Sequence, residues 1–99
     1  MATISSQRYL DDDVVSSKRI AGDFTVYTYE VGDWTVIVDG HHSLAAARLD
    51  GAEPAYRPVS RDLAAEYDHQ VLAMGIDGWL EAHQSDSDWY YVDTGCLVF

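Results

Sequence analysis

The clearest pattern in the chain is an alternating run of aromatic and β-branched residues from Phe24 to Val31. Alternation of this kind is typical of a β-strand. Gly32 and Asp33 then provide a tight turn, and a second apolar run follows at residues 34–38. Two such runs on either side of a tight turn predict a β-hairpin.

A short helix and a third strand are predicted to follow the hairpin. Residues 43–49 have the alanine-rich composition that favours a helix. Gly51 lies where a helix C-terminal cap is expected, and Pro54 prevents the helix from resuming. Residues 55–59 then form a short strand-like segment between two prolines.

Residues 61–84 predict two consecutive helices separated by a glycine. Ser60 is a suitable N-cap for residues 61–74, in which apolar side chains recur at helical spacing. Gly75 ends this first helix, and Asp77 can begin a second one that runs to residue 84. The inward-facing residues of the second helix are predicted to be Trp79, Leu80 and His83.

The two ends of the chain differ in how well they are patterned. Residues 89–92 and 96–99 predict a closing hairpin, with Cys96 as a small core residue. Residues 1–22 are polar and predict a loose lead-in with one short element near residues 14–20. The order β-β-α-β-α-α-β-β predicts one α+β domain over residues 23–99, with a small mixed sheet, β-hairpins and two to three helices.

The charge is strongly asymmetric along the 99 residues. The net charge is −11, yet residues 1–61 carry all six basic residues and only −3 of it. Residues 62–99 hold eight acids and no Lys or Arg, which makes the C-terminal half acidic. Direct binding to nucleic acid is therefore not expected, because it needs positive charge, and the same argument excludes an anionic membrane surface. A basic protein partner is favoured.

Other features of the composition narrow the class further. A single cysteine excludes an internal disulfide framework and favours a reducing compartment, so a cytoplasmic location is expected. No apolar run approaches the roughly 20 residues of a membrane helix, and the first ten residues do not resemble a secretory signal. Neither a cofactor nor a metal is predicted, and the chain is expected to be a monomer or a homodimer.

One motif resembles a known superfamily. Residues 36–48 read VIVDGHHSLAAAR, in which a buried strand enters Asp-Gly, two histidines and an alanine-rich helix. This arrangement resembles the ParB/sulfiredoxin-like superfamily, which includes chromosome-partitioning ParB domains, sulfiredoxins and phage ParB-like nucleases. The resemblance implies a ParB-like fold, with a ligand or anion turn at Gly40, His41, His42 and Ser43. A glycine followed by a helix N-terminus suits an anion.

The chain departs from that superfamily at the residues that carry its chemistry. His41 stands where sulfiredoxins have their reactive cysteine, and Ser43 stands where an arginine is expected. Arg48 lies one to two turns further along the helix and only partly substitutes for that arginine. If the turn were catalytic, Asp39, His41 and His42 would be the acid–base residues of a ParB-like nucleotide-dependent enzyme or nuclease. That enzyme is the alternative function; the leading expectation is a turn without catalytic residues.

The leading functional prediction is a non-catalytic acidic protein that binds and inhibits a nucleic-acid-binding protein or complex, imitating a nucleic acid. By size and charge it resembles phage anti-CRISPR and other anti-defence inhibitors, which act in the cytoplasm of a bacterial host cell. A phage accessory domain that assembles with its own copies is a third possibility. The predicted partner-binding residues are acids and aromatics of the C-terminal half: Asp62, Glu66, Asp68, Asp77, Trp79, Glu81, Asp86, Asp88, Trp89, Tyr90 and Tyr91.

Overall fold

The predicted hairpin lies within a five-stranded mixed sheet in the computed structural model, which describes residues 1–99. Three helices accompany the sheet, so the α+β class is confirmed. In chain order the elements are β1 (Ala2–Ser5), α1 (Asp12–Ala21), β2 (Thr25–Val31), β3 (Trp34–Asp39), α2 (His41–Leu49), β4 (Ala55–Pro58), α3 (Arg61–Ala82) and β5 (Tyr90–Tyr91).

The sheet has the strand order β4-β2-β3-β1-β5. The hairpin strands β2 and β3 are antiparallel, whereas β1 runs parallel to β3 and β4 runs parallel to β2. β5 closes the other edge, antiparallel to β1. The chain thus enters the sheet at β1, before the hairpin, and the sheet mixes both kinds of pairing.

Alternation along the hairpin divides the core between the two sheet faces. Tyr29 and Val31 of β2 belong to the larger core cluster, together with Trp79 and Leu80 of α3. Val26 of the same strand belongs to a smaller cluster that includes Leu44 of α2. Since successive strand residues point to opposite faces, one strand supplies both clusters. α3 therefore covers one face, and α2 covers the other with α1 packed against it.

The predicted break at Gly75 is present inside α3. The Ser60 hydroxyl accepts a hydrogen bond from the Leu63 amide at 3.2 Å, which is the predicted N-cap. Gly75 has φ 77° and ψ 169°, a backbone conformation that essentially only glycine adopts. The helix therefore consists of two halves, and the second half carries Trp79 and Leu80 into the core, as predicted.

The interpretation of residues 1–22 as a loose lead-in is wrong. β1 lies between β3 and β5, and its Ile4 is fully buried in the larger core cluster. The short element expected near residues 14–20 is α1, capped by Asp11 and packed against α2. The strand escaped notice because it is four residues long and its second buried residue is Ser5, a residue type that rarely marks a core.

The closing hairpin is shorter than predicted. Only Tyr90 and Tyr91 form a strand, but the Tyr91 amide donates to the Cys96 carbonyl at 2.8 Å. The Val98 amide donates to the Trp89 carbonyl at 3.0 Å, so the chain does fold back on itself. Cys96 itself is exposed, which corrects the prediction that it is a core residue. No helix combines the length and the apolar character needed to cross a membrane.

Candidate functional site

The turn of residues 39–42 joins β3 to α2. Gly40 is the residue that precedes the helix, and it has a left-handed conformation with φ 94°. Its amide donates a hydrogen bond of 2.7 Å to Oδ1 of Asp39, whose side chain is otherwise exposed. No hydrogen bond joins Asp39 to His41 or His42, so the three residues do not form a linked acid–base set.

Packing within the chain explains the glycine at position 40. A Cβ atom added to Gly40 would lie 2.5 Å from the Thr25 carbonyl oxygen and 2.8 Å from the Val26 Cα. Both distances are far below ordinary contact, and both atoms belong to the backbone of β2. The close approach that a glycine permits is therefore made by the protein's own strand, which accounts for this residue without a ligand.

His41 is an uncharged buried side chain at neutral pH. It is 9% exposed, and neither ring nitrogen has a hydrogen-bond partner. Burial lowers the pKa of His41 below its usual 6.5, and the adjacent His42 lowers it further. The two imidazole rings meet edge to face with their centroids 6.0 Å apart. His41 is thus placed as a packing residue, with unpaired nitrogens that disfavour its protonation.

His42 holds the start of α1 against α2. Its Nε2 accepts a hydrogen bond of 3.1 Å from the Asp11 amide. Asp11 in turn caps α1, since its Oδ1 accepts from the amides of Asp13 and Val14. The imidazole therefore has a structural partner in the N-terminal segment.

The remaining residues of the turn region also have positions within the fold. Ser43 is buried in the first turn of α2. Arg48, the one arginine of that helix, donates from Nη2 to the Val92 carbonyl at 3.3 Å. No group of three or more His, Cys, Asp or Glu side chains has an arrangement that could hold a metal ion. The structure assembles the turn around internal contacts.

Acidification is expected to destabilise the protein partly through His41. When the pH is lowered from about 7.5 to about 5.5, the unfolded chain binds a proton at this histidine more readily than the folded chain does. The free energy of unfolding therefore decreases as the pH decreases. The loss begins near the usual pKa of 6.5, ends at the lowered folded pKa, and reaches at most about 1.4 kcal/mol per pH unit. In urea denaturation, His41→Phe should show a smaller loss over the same range.

His83 provides the internal control for this measurement. Burial also lowers the pKa of His83, whose ring is paired with Gln70, so its contribution persists in His41→Phe. The quantity to compare is the change in unfolding free energy between the two pH values, not the stability at either one. An identical change in both proteins would contradict the role given to His41.

The acids of the C-terminal half are exposed and form no salt bridge. All eight carboxylates lie at the surface, and neither of the protein's two salt bridges involves them. We call this set the acidic face: Asp62, Glu66, Asp68, Asp77, Glu81, Asp86, Asp88 and Asp93. The structure thus exposes every predicted partner-binding acid.

Three of these acids also have structural contacts. Asp68 accepts a hydrogen bond of 2.5 Å from the Tyr29 hydroxyl. Burial and this acceptor raise the pKa of Tyr29 to about 12. Oδ1 of Asp86 accepts a hydrogen bond of 2.7 Å from the backbone amide of Arg8. Oδ1 of Asp88 accepts one of 3.4 Å from the side-chain nitrogen Nε2 of Gln84. The side chains of Asp62, Glu66, Asp77 and Glu81 have no hydrogen-bond partner within the chain.

Three of the predicted aromatic contact residues are core residues instead. Trp79 is fully buried, with its ring 4.4 Å from His83 and 5.2 Å from Tyr67 between centroids. Trp89 is buried and donates from Nε1 to the Leu80 carbonyl at 3.1 Å. Tyr90 is buried under the Arg8 guanidinium, and Tyr91 is half-buried. Trp79, Trp89 and Tyr90 therefore fill the space between elements rather than face a partner.

A groove lies beside the second half of α3 and was not predicted from the sequence. Its volume is about 240 Å³, and its lining consists of Asp77, Leu80, Glu81, Gln84, Trp89 and Phe99. Phe99 is 72% exposed, and its ring packs edge to face on Trp34. The spacing of Asp77, Glu81 and Gln84 was the available signal, since i, i+4 and i+7 share one helix face. We refer to this feature as the α3 groove.

Comparison with known proteins adds no relative. The chain matches no known family of proteins, no curated protein and no solved structure. The ParB/sulfiredoxin-like resemblance of residues 36–48 therefore stays a prediction.

Proposed function

We propose that this chain is a non-catalytic binding protein that inhibits a nucleic-acid-binding protein or complex by covering its basic surface. The observation that carries the proposal is the acidic face, in which eight exposed carboxylates form no salt bridge with Lys or Arg. Such a partner would place the protein in the cytoplasm of a bacterial host cell, with a role like that of phage anti-defence inhibitors.

The distribution of basic residues supports a surface of one sign. Lys18 and Arg19 are each paired with an aspartate near α1. Arg8 contacts Tyr90 and the Gly95 carbonyl, and Arg48 contacts Val92. Four of the six bases are thus engaged away from the acids of α3, and the other two are Arg57 of β4 and the exposed Arg61, which is the first residue of α3. An uncompensated negative surface steers a basic partner to the protein and competes with phosphates for its Arg and Lys side chains.

The four unpartnered acids of α3 provide a direct test. In the proposed experiment, immobilised protein captures partners from a bacterial lysate, and bound proteins are eluted by salt or by duplex DNA. The wild type should retain a nucleic-acid-binding protein that DNA displaces and that salt releases steeply. Neutralising Asp62, Glu66, Asp77 and Glu81 to Asn or Gln should reduce the affinity at least about tenfold, because surface charges drive the encounter.

A matched variant separates surface from net charge. Neutralising four acids outside the acidic face, namely Asp12, Asp13, Glu30 and Glu53, changes the net charge by the same amount. This variant should retain the partner nearly as well as the wild type. Equal losses in the two variants, or a retained protein that DNA does not displace, would contradict the proposal.

The alternative of a ParB-like nucleotide-dependent enzyme has no observation of its own in its favour. His42 accepts a hydrogen bond from the Asp11 amide, and the Asp39 side chain accepts one from the Gly40 amide. The buried Ser43 stands where the motif has an arginine. The enzyme stays a prediction, and it is distinguished by the double variant His41→Ala and His42→Ala. That change should leave partner binding intact, provided that circular dichroism shows a folded protein.

A further inference from the structure

The α3 groove combines an apolar floor with an acidic rim. Leu80 and Trp89 form the floor and are almost fully buried, while Phe99 rises beside them and is mostly exposed. Asp77 and Glu81 lie one helical turn apart on the α3 side of the groove. The groove thus offers an aromatic surface and two carboxylates within one small volume.

The rim charges have no internal partner. Neither Asp77 nor Glu81 accepts a hydrogen bond within the chain, in contrast to Asp68 and Asp86. The lining contains no Lys or Arg, and residues 62–99 contain none at all. Two carboxylates beside an exposed aromatic ring attract a cation that also has an apolar part.

We propose that the α3 groove binds an arginine side chain of the basic partner. This inference rests on the proposed function and names the chemistry of the contact. The guanidinium is planar, stacks on aromatic rings and pairs with carboxylates through two parallel hydrogen bonds. Its methylene stem covers the apolar floor at Leu80 while its charged end reaches Asp77 and Glu81.

Other occupants fit the groove less well. A neutral apolar segment would bury the two carboxylates without a counter-charge, which is costly. A nucleic acid would be repelled by the same charges. A second copy of this chain also carries −11, which opposes close approach of the two acidic faces. Lysine neutralises the rim, but its compact, strongly hydrated ammonium makes no stacking contact with Phe99.

The experiment uses two peptides of equal length and charge, one alternating arginine with glycine and the other alternating lysine with glycine. Their affinities for the full chain are measured by calorimetry. At about 50 mM salt, the wild type should bind the arginine peptide about fivefold more tightly, because stacking and bidentate pairing are specific to the guanidinium. Phe99→Ala should reduce this preference to near unity without any change in charge.

The first half of α3 supplies the matched control. Asp62 and Glu66 have the same i, i+4 spacing as Asp77 and Glu81, but they do not line the groove. Asp77→Asn with Glu81→Gln should abolish the arginine preference. Asp62→Asn with Glu66→Gln should weaken both peptides alike and leave the preference intact. Circular dichroism checks that each variant is folded, which is expected because the four positions are exposed.

The outcomes separate this inference from the proposed function. Equal affinity of the wild type for both peptides, or a preference that survives Phe99→Ala, overturns the arginine site. So does binding of neither peptide. The proposed function is judged independently by the DNA-displaceable capture and its two charge variants. A captured partner together with no arginine preference would retain the function and discard the groove.

Discussion

Replacing Gly40 by alanine is expected to lower the free energy of unfolding by roughly 2–5 kcal/mol. A left-handed conformation costs a residue with a Cβ about 1–2 kcal/mol, and overpacking adds about 1–3 kcal/mol. Both contributions apply here, because φ is 94° and the new Cβ would lie 2.5 Å from the Thr25 carbonyl oxygen. The strand backbone that it meets cannot rotate aside as a flexible side chain can.

Gly51 offers a control in the same α2 region. It also has a left-handed conformation, with φ 64°, but a Cβ there would meet nothing within 4 Å. Gly51→Ala should therefore cost only about 1–2 kcal/mol, the conformational part alone. Urea denaturation of the two variants measures the difference, which is the contribution of packing against β2.

The result also bears on the resemblance of residues 36–48 to ParB-like proteins. If Gly40→Ala were as stable as Gly51→Ala, the turn would have room for a side chain, and packing would not explain the glycine. The expected larger loss of stability in Gly40→Ala means that the close contact between Gly40 and β2 accounts for the glycine. A strand, a glycine and an alanine-rich helix can then arise from packing requirements alone.

The sequence predicted the elements whose boundaries are set by neighbouring residues, such as a helix cap, a glycine or a tight turn. Ser60 caps a helix and Gly75 interrupts it because a hydroxyl acceptor and a left-handed glycine act over a few residues. The hairpin of β2 and β3 was predicted for the same reason, from alternation on either side of a tight turn. These features can be predicted without knowing which residues distant in the sequence they contact.

Long-range contacts were beyond the sequence pattern. Trp79 and Trp89 were predicted to contact a partner but lie in the core, because both pack in the larger cluster between α3 and the sheet. Phenylalanine is usually a core residue, but Phe99 is exposed and its ring packs against Trp34, which is distant in the sequence. Whether an aromatic ring is buried depends on which elements meet it, and a single sequence does not specify that meeting.

The acidic face was predictable because it depends on composition more than on packing. Carboxylates are almost always exposed unless they are paired, so eight acids in a segment without Lys or Arg had to lie at the surface. The three acids with structural contacts could not be singled out. Asp68 meets Tyr29 and Asp86 meets Arg8 only after the chain has folded.

The N-terminal strand gives the other large expected effect. Ile4→Asp should leave the protein largely unfolded at 25 °C, because it removes a buried aliphatic side chain and buries a charge. The first change costs about 2–5 kcal/mol and the second several more, against a total stability of about 5–15 kcal/mol. Ile4 is fully buried and lies opposite Val36 of β3 and Tyr91 of β5.

Ile20→Asp is the matched substitution in the same N-terminal segment. Ile20 lies in the last turn of α1 and is 89% exposed, so its replacement removes almost no core contact. The new charge near a helix C-terminus should cost less than about 1 kcal/mol. Far-ultraviolet circular dichroism and urea denaturation compare the two variants. If Ile4→Asp were as stable as Ile20→Asp, β1 would contribute little to the sheet, and residues 1–22 would be a dispensable lead-in after all. A large difference means that the sheet depends on a strand of four residues whose only large apolar side chain is Ile4.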